Sequence, residues 1–89
     1  MKRRTRIEII LSILENSVEG ASKTRIVYGS NLNFNLASRY LSLLLEKDLI
    51  SVDAGDKRIY RTTEKGAELL KKGKEILIEI EPEILPKMI

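Results

Sequence analysis

The 89-residue chain contains no cysteine, histidine or tryptophan. Without cysteine, neither a disulfide framework nor a thiolate metal site can form. Without histidine, the commonest transition-metal ligand and general base is gone. Most hydrolytic and zinc chemistry is thereby excluded, and no phosphate-binding loop or convergent pair of carboxylates takes its place. We expect no enzymatic activity, no metal and no cofactor. Glutamine is also missing, while 33% of the residues are charged, a composition that leans towards a thermophile. Long apolar runs are absent as well: nothing approaches the roughly twenty apolar residues needed to span a bilayer. The stretch MKRRTRIEIILSIL begins as a signal peptide does, but Glu8, Ser12 and Glu15 interrupt its apolar part and no small-residue cleavage site follows. The expectation is a cytoplasmic protein with no membrane partner.

What is present suffices for one domain. The hydrophobic content of 43% supports a modest core if apolar side chains are shared between elements. The net charge is +3, and its distribution says more than its total. Residues 1–62 hold eleven Lys or Arg against seven Asp or Glu, whereas residues 63–89 hold five against six. A basic body followed by a slightly acidic tail suits a body that meets a polyanion and a tail with another task.

Along the chain, apolar Ile7, Ile10, Leu11 and Leu14 follow helical spacing, and Thr5 with Glu8 has the form of a capping box. A first helix is expected from Arg6 to about Ser17. Gly20 breaks it, and Ser22 can cap a short helix from Lys23 to about Gly29 with Ile26 and Val27 inward. SNLN is a turn. Asn33 then caps a third helix from Phe34 to about Lys47. Two helices joined by a short polar turn have the helix-turn-helix form. After Asp48 the period changes to two. LISVD and RIYRT flank the turn AGDK as a two-stranded hairpin, with Ile50 and Val52 on one face of the first strand and Tyr60 and Thr62 on one face of the second. An isolated hairpin is marginal in water, so this one must lie on the helices. Thr63 caps a last helix, expected to stop near Ile80 because Pro82 disfavours helix before it.

On the third helix, Phe34, Ala37, Leu41, Leu44 and Leu45 fall within about 100° of arc, enough for a core-facing stripe. Asn35, Ser38, Arg39 and Ser42 cluster on the opposite flank. The major groove of B-DNA admits such a helix, and Arg and Asn pair bidentately with guanine and adenine edges. These four residues are therefore the candidate base contacts, with a solvated helix face as the alternative. Leu36 and Tyr40 border the apolar face and read as packing. Leu43 lies nearly opposite the core and calls for a partner or another part of the chain.

Lys57 and Arg58, at the hairpin tip, are placed to meet a phosphate backbone or a minor groove. Lys23 and Arg25, near the start of the second helix, are further backbone candidates. Arg3 and Arg4 belong to a basic arm with Lys2 and Arg6, which either follows DNA or simply solubilises the terminus. In the last helix, Leu69, Leu70, Ile76, Leu77 and Ile80 form an apolar stripe longer than a small domain can cover. Ala67 and Leu70 are expected to pack on the domain. Leu69, Ile76, Leu77 and Ile80 are the candidate dimerisation residues, and the alternative is a tail folded back on its own body. Gly73 weakens the helix or permits close helix approach. The expected division is a domain over 1–66 and a dimerisation element over 67–89.

Helix, helix, turn, helix, strand, strand, helix is the order of a winged helix-turn-helix domain, mainly α with a small β-hairpin. LASRYLSLLLEKDLI resembles the recognition-helix signature of prokaryotic winged-helix regulators, and RIYRTTEKGAELL resembles their second wing strand and following helix. KTRIVYGSNLNFNLASRYLSLLLEKDLI is most similar to an archaeal winged-helix family of small chromatin-like and regulatory DNA-binding proteins. The likeness covers about residues 4–72. It implies binding of double-stranded DNA as a homodimer joined through the C-terminal helix, in a transcription regulator or chromatin-type protein. No small-molecule effector is evident. The competing reading is a winged-helix adaptor that binds protein and does not read DNA.

Overall fold

The computed structural model describes residues 4–55 and 57–84, with side chains followed as far as Ile76. Thr5 starts the first helix, α1 (Arg6–Asn16). Its hydroxyl accepts from the Glu8 N–H at 3.1 Å, while the Glu8 carboxylate accepts from the Thr5 N–H at 2.7 Å. This reciprocal box satisfies two amides that a helix start otherwise leaves without partners. Leu11, Ile13 and Leu14 are buried. Ile7, expected on the inward stripe, is exposed, because it sits in the first turn of α1 ahead of the covered part of the helix.

The second helix, α2 (Lys23–Gly29), is capped by Ser22, and the third, α3 (Phe34–Glu46), by Asn33, whose side-chain oxygen accepts from the Leu36 N–H at 2.7 Å. Two non-glycine residues take left-handed backbone in the connections, Asn31 with φ 55° between α2 and α3 and Asp48 with φ 60° after α3. Asn and Asp are the non-glycine residues that most readily take this conformation. From α3, Ala37, Leu41 and Leu44 enter the core beside Ile26 of α2 and Ile13 and Leu14 of α1. Fully burying a Leu or Ile side chain is worth about 1.5–3 kcal/mol, so these few residues account for much of the cohesion of the helical body.

The hairpin consists of β1 (Ile50–Ala54) and β2 (Arg58–Thr62), paired antiparallel with Ile50 opposite Thr62 and Val52 opposite Tyr60. Its inner face follows the alternation of the sequence, with Ile50 and Tyr60 buried and Val52 and Thr62 half-buried. Hydrogen bonds tie it to α1 and to the connection that follows α1. Ala21 and Tyr60 exchange backbone hydrogen bonds at 2.9 and 2.8 Å, the Thr62 hydroxyl donates to the Leu14 carbonyl at 2.6 Å, and the Thr62 N–H donates to the Ser17 carbonyl at 3.0 Å. Ser17 is itself buried, and its hydroxyl donates to the Ile13 carbonyl at 2.8 Å, so no polar cost is left open there.

The last helix, α4 (Glu64–Ile84), starts at Thr63, whose hydroxyl oxygen accepts from the Gly66 N–H at 3.0 Å while donating to the Asp48 carbonyl at 2.7 Å. It runs past the end expected near Ile80 and continues through Pro82. A proline deletes one bond of the helical ladder and crowds one carbonyl, and a long helix absorbs such a defect locally. The inward residues of α4 are Gly66 and Leu70, while Ala67, expected to pack inward, is exposed. Gly73 lies against Leu11, where an added Cβ would come within 2.7 Å of the leucine side chain, so its close approach serves α1 of the same chain.

Candidate nucleic-acid interface

Asn33 caps α3, and along the face of this helix turned away from the core Asn35, Arg39 and Ser42 are exposed. Ser38 is half-buried at the seam with α2, where its hydroxyl accepts a hydrogen bond from the Lys23 ammonium. The same ammonium lies 5.9 Å from the centre of the Phe34 ring, within the range of a cation–π contact. Phe34 is thereby corrected from a core residue to a partly exposed one. As the first residue of α3 it sits at the margin of the helix pair, and its ring faces the Lys23 charge.

The opposite flank of α3 meets the start of α1. Arg6, Leu36, Arg39, Tyr40 and Leu43 line a shallow groove of about 290 Å³. Leu36 and Tyr40 are half-buried and Leu43 is 39% exposed. Arg4 is held nearby through a 3.0 Å hydrogen bond from its guanidinium to the Asn31 carbonyl. The described part of the basic arm thus lies beside α3, with Arg6 in the groove wall. Arg3 and Lys2 lie outside the described residues. Basic side chains consequently bracket the exposed face of α3, Lys23 at Ser38 on one side and Arg6 beside Arg39 on the other.

Lys57 and Arg58 are exposed at the tip of the hairpin. Arg25 goes elsewhere: two positions after Lys23 on α2 it lines a polar recess with Glu15, Asn16, Val18, Glu19 and Gly20. Of the two basic residues proposed at this helix start, the fold brings Lys23 to α3 and carries Arg25 to an acidic neighbourhood. Arg61, which sequence reasoning left without a role, donates to the Glu19 carbonyl at 3.0 Å and anchors the α1–α2 connection to β2. The place of Arg6 in the groove was equally unforeseen, because nothing local in the sequence shows which side of α3 the start of α1 will reach.

On α4 the apolar stripe divides. Leu70 is buried in its own domain, whereas Leu69 and Ile76, seven residues apart, are 38% and 54% exposed. The side chains of Leu77 and Ile80 lie outside the described residues. Lys74 pairs with Glu15 of α1 at 2.7 Å and holds this part of the helix alongside the body. Among the described residues no group of three or more acidic side chains could hold a metal ion, and no helix is long and apolar enough to cross a membrane.

Three helices, a two-stranded wing and a fourth helix, in this order and packing, define a winged helix-turn-helix protein. The family model described as winged helix-turn-helix matches residues 3–81, and the chain belongs to that family. Among solved structures it is similar to Sso10a-2, a DNA-binding protein from Sulfolobus solfataricus, at 32% identity and a TM-score of 0.80, covering 88% of this chain and 83% of that one. It shares its fold with a MarR-family transcriptional regulator from Rhodococcus sp. RHA1, at 18% identity and a TM-score of 0.74 over 98% of this chain and 64% of the regulator. A mutant of MepR from S. aureus is similar at 22% identity and a TM-score of 0.72, over 97% and 67% of the two chains. A comparison with curated proteins gives no match. The archaeal relative agrees with the resemblance carried by residues 4–72.

Proposed function

We propose that the protein binds double-stranded DNA as a homodimer and acts without catalysis, as a transcription regulator or chromatin-type protein. The observation that carries this reading is the bracketed face of α3. That face exposes Asn35 and Arg39 in the N-terminal half of the helix and Ser42 just beyond it, and Lys23 and Arg6 stand on either side. In the proposed complex α3 enters the major groove, with Asn35, Arg39 and Ser42 towards base edges and Ser38 holding Lys23 near the backbone. Lys57 and Arg58 of the wing reach the adjoining phosphates or minor groove, and Arg4 lies along the strand with Arg6. The similarity to a DNA-binding protein at 32% identity supports the reading.

The dimer rests on α4. Leu69 and Ile76 are apolar, exposed and on one stripe, and a two-fold copy would cover them while presenting two α3 helices to two half-sites. The unit from 67 onwards is proposed as this dimerisation element, continuous with the turn of α4 that packs on the domain.

The reading is tested by fluorescence anisotropy with a random-sequence duplex. Binding is expected to weaken by orders of magnitude between about 50 and 200 mM salt if several phosphates are neutralised. Arg39→Glu together with Lys57→Glu should abolish it. Absence of binding by the unaltered protein at low salt would overturn the proposal.

A further inference from the structure

Leu36 and Leu43 are two turns apart on α3, on the flank that also carries Arg39. Together with Tyr40 they line a shallow groove shared with the cationic Arg6 and Arg39. No acidic side chain lines it, and Leu43 remains 39% exposed in a helix that has already given Ala37, Leu41 and Leu44 to the core. An apolar strip beside cationic side chains suits a ligand that is polyanionic on its outside and locally apolar within. A DNA major groove has that character where thymine stands, since the thymine C5-methyl is the apolar feature among the edges exposed there.

Resting on the DNA-binding reading above, we infer that Leu36 and Leu43 contact thymine methyl groups beside the base met by Arg39, with Arg6 on the flanking phosphate. The spacing is compatible. Seven residues of helix rise about 10.5 Å, and base pairs stack about 3.4 Å apart, so the two leucines stand about three base steps from each other. Arg39 lies between them in sequence, three residues after Leu36 and four before Leu43, so the polar contact falls between the two apolar ones. The protein therefore favours thymine on both sides of its arginine contact, and the exposure of Leu43 serves sequence preference.

Uracil differs from thymine by this methyl group alone, which makes the test direct. One random duplex pool is prepared with thymidine and, in parallel, with deoxyuridine, and both are titrated by anisotropy at one salt concentration. Burying a methyl group is worth about a fourfold change in affinity. Because thymine occupies a given position in only about one site in four of a random pool, each protomer should favour the thymine pool about two- to threefold. In Leu43→Ala the ratio should shrink, and in Leu36→Ala with Leu43→Ala it should fall to one, with circular dichroism verifying that both variants are folded. Equal binding of the two pools by the unaltered protein overturns the inference while leaving DNA binding intact. A preference that survives in the folded double variant overturns it too, because the methyl is then sensed elsewhere. Failure to bind either pool instead removes the underlying reading.

Discussion

Helices α3 and α4 draw on the same core yet leave different surfaces behind. Helix α3 buries Ala37, Leu41 and Leu44 and shows solvent short polar side chains, Arg39 and Glu46, with an apolar strip on one flank and Phe34 at its start. Helix α4 buries Leu70, closes Gly73 on Leu11, and leaves Leu69 and Ile76 uncovered on an otherwise charged surface. Two amphipathic helices are thus left with different surfaces, both by which residues the body can reach and by the much higher charge content of α4. In the proposed complex the surface of α3 would meet a charged groove, whereas that of α4 would meet another apolar stripe.

The comparison breaks most completely at what the two helices share. Leu44 is 1% exposed, and Leu44→Ala should cost about 2–5 kcal/mol through lost burial and the cavity left behind, read as a lowered urea midpoint. DNA binding and assembly should fail together in that variant. A sharper division comes from Leu69→Glu with Ile76→Glu. Because both positions are exposed within one chain, its intrinsic stability should change by no more than about 0.5 kcal/mol per site, while sedimentation should show the mass fall from dimer to monomer. An unchanged mass would remove the α4 interface. The smallest effect is expected at Lys74→Ala. Its ion pair with Glu15 is half-exposed, so its loss should cost at most about 1 kcal/mol and less in high salt, by thermal denaturation at two ionic strengths.

Local signals were legible in the sequence to nearly residue precision. The Thr5–Glu8 box, the Ser22 and Asn33 caps and the Thr63 start are satisfied within one turn of the chain, so they need no knowledge of distant packing. Alternation in LISVD and RIYRT likewise put Ile50 and Tyr60 inward. The misreadings have a common origin. Ile7, Phe34 and Ala67 obey helical periodicity yet are exposed, because periodicity identifies a face and not how far along the helix the neighbouring elements cover it. Ile13, off the expected stripe of α1, is fully buried for the same reason: several elements converge on that helix and cover a wider arc than one stripe.

Within the candidate interface, the polar flank of α3 could be read from spacing alone, since Asn35, Arg39 and Ser42 share a face whatever the helix packs on. Which cations join them could not. Lys23 and Arg25 are nearly equivalent in sequence, but α2 turns Lys23 to Ser38 and Arg25 to the recess beside Glu15 and Glu19.

The sequence by itself determined the order of the elements, their caps and the family, because those follow from residue types and from bonds closed within a few positions. Tertiary structure decided which leucines remain uncovered and which basic residues stand together. Those outcomes depend on how α2 and β1 pack on α3 and how α1 packs on α4, and such packing joins residues far apart in the chain.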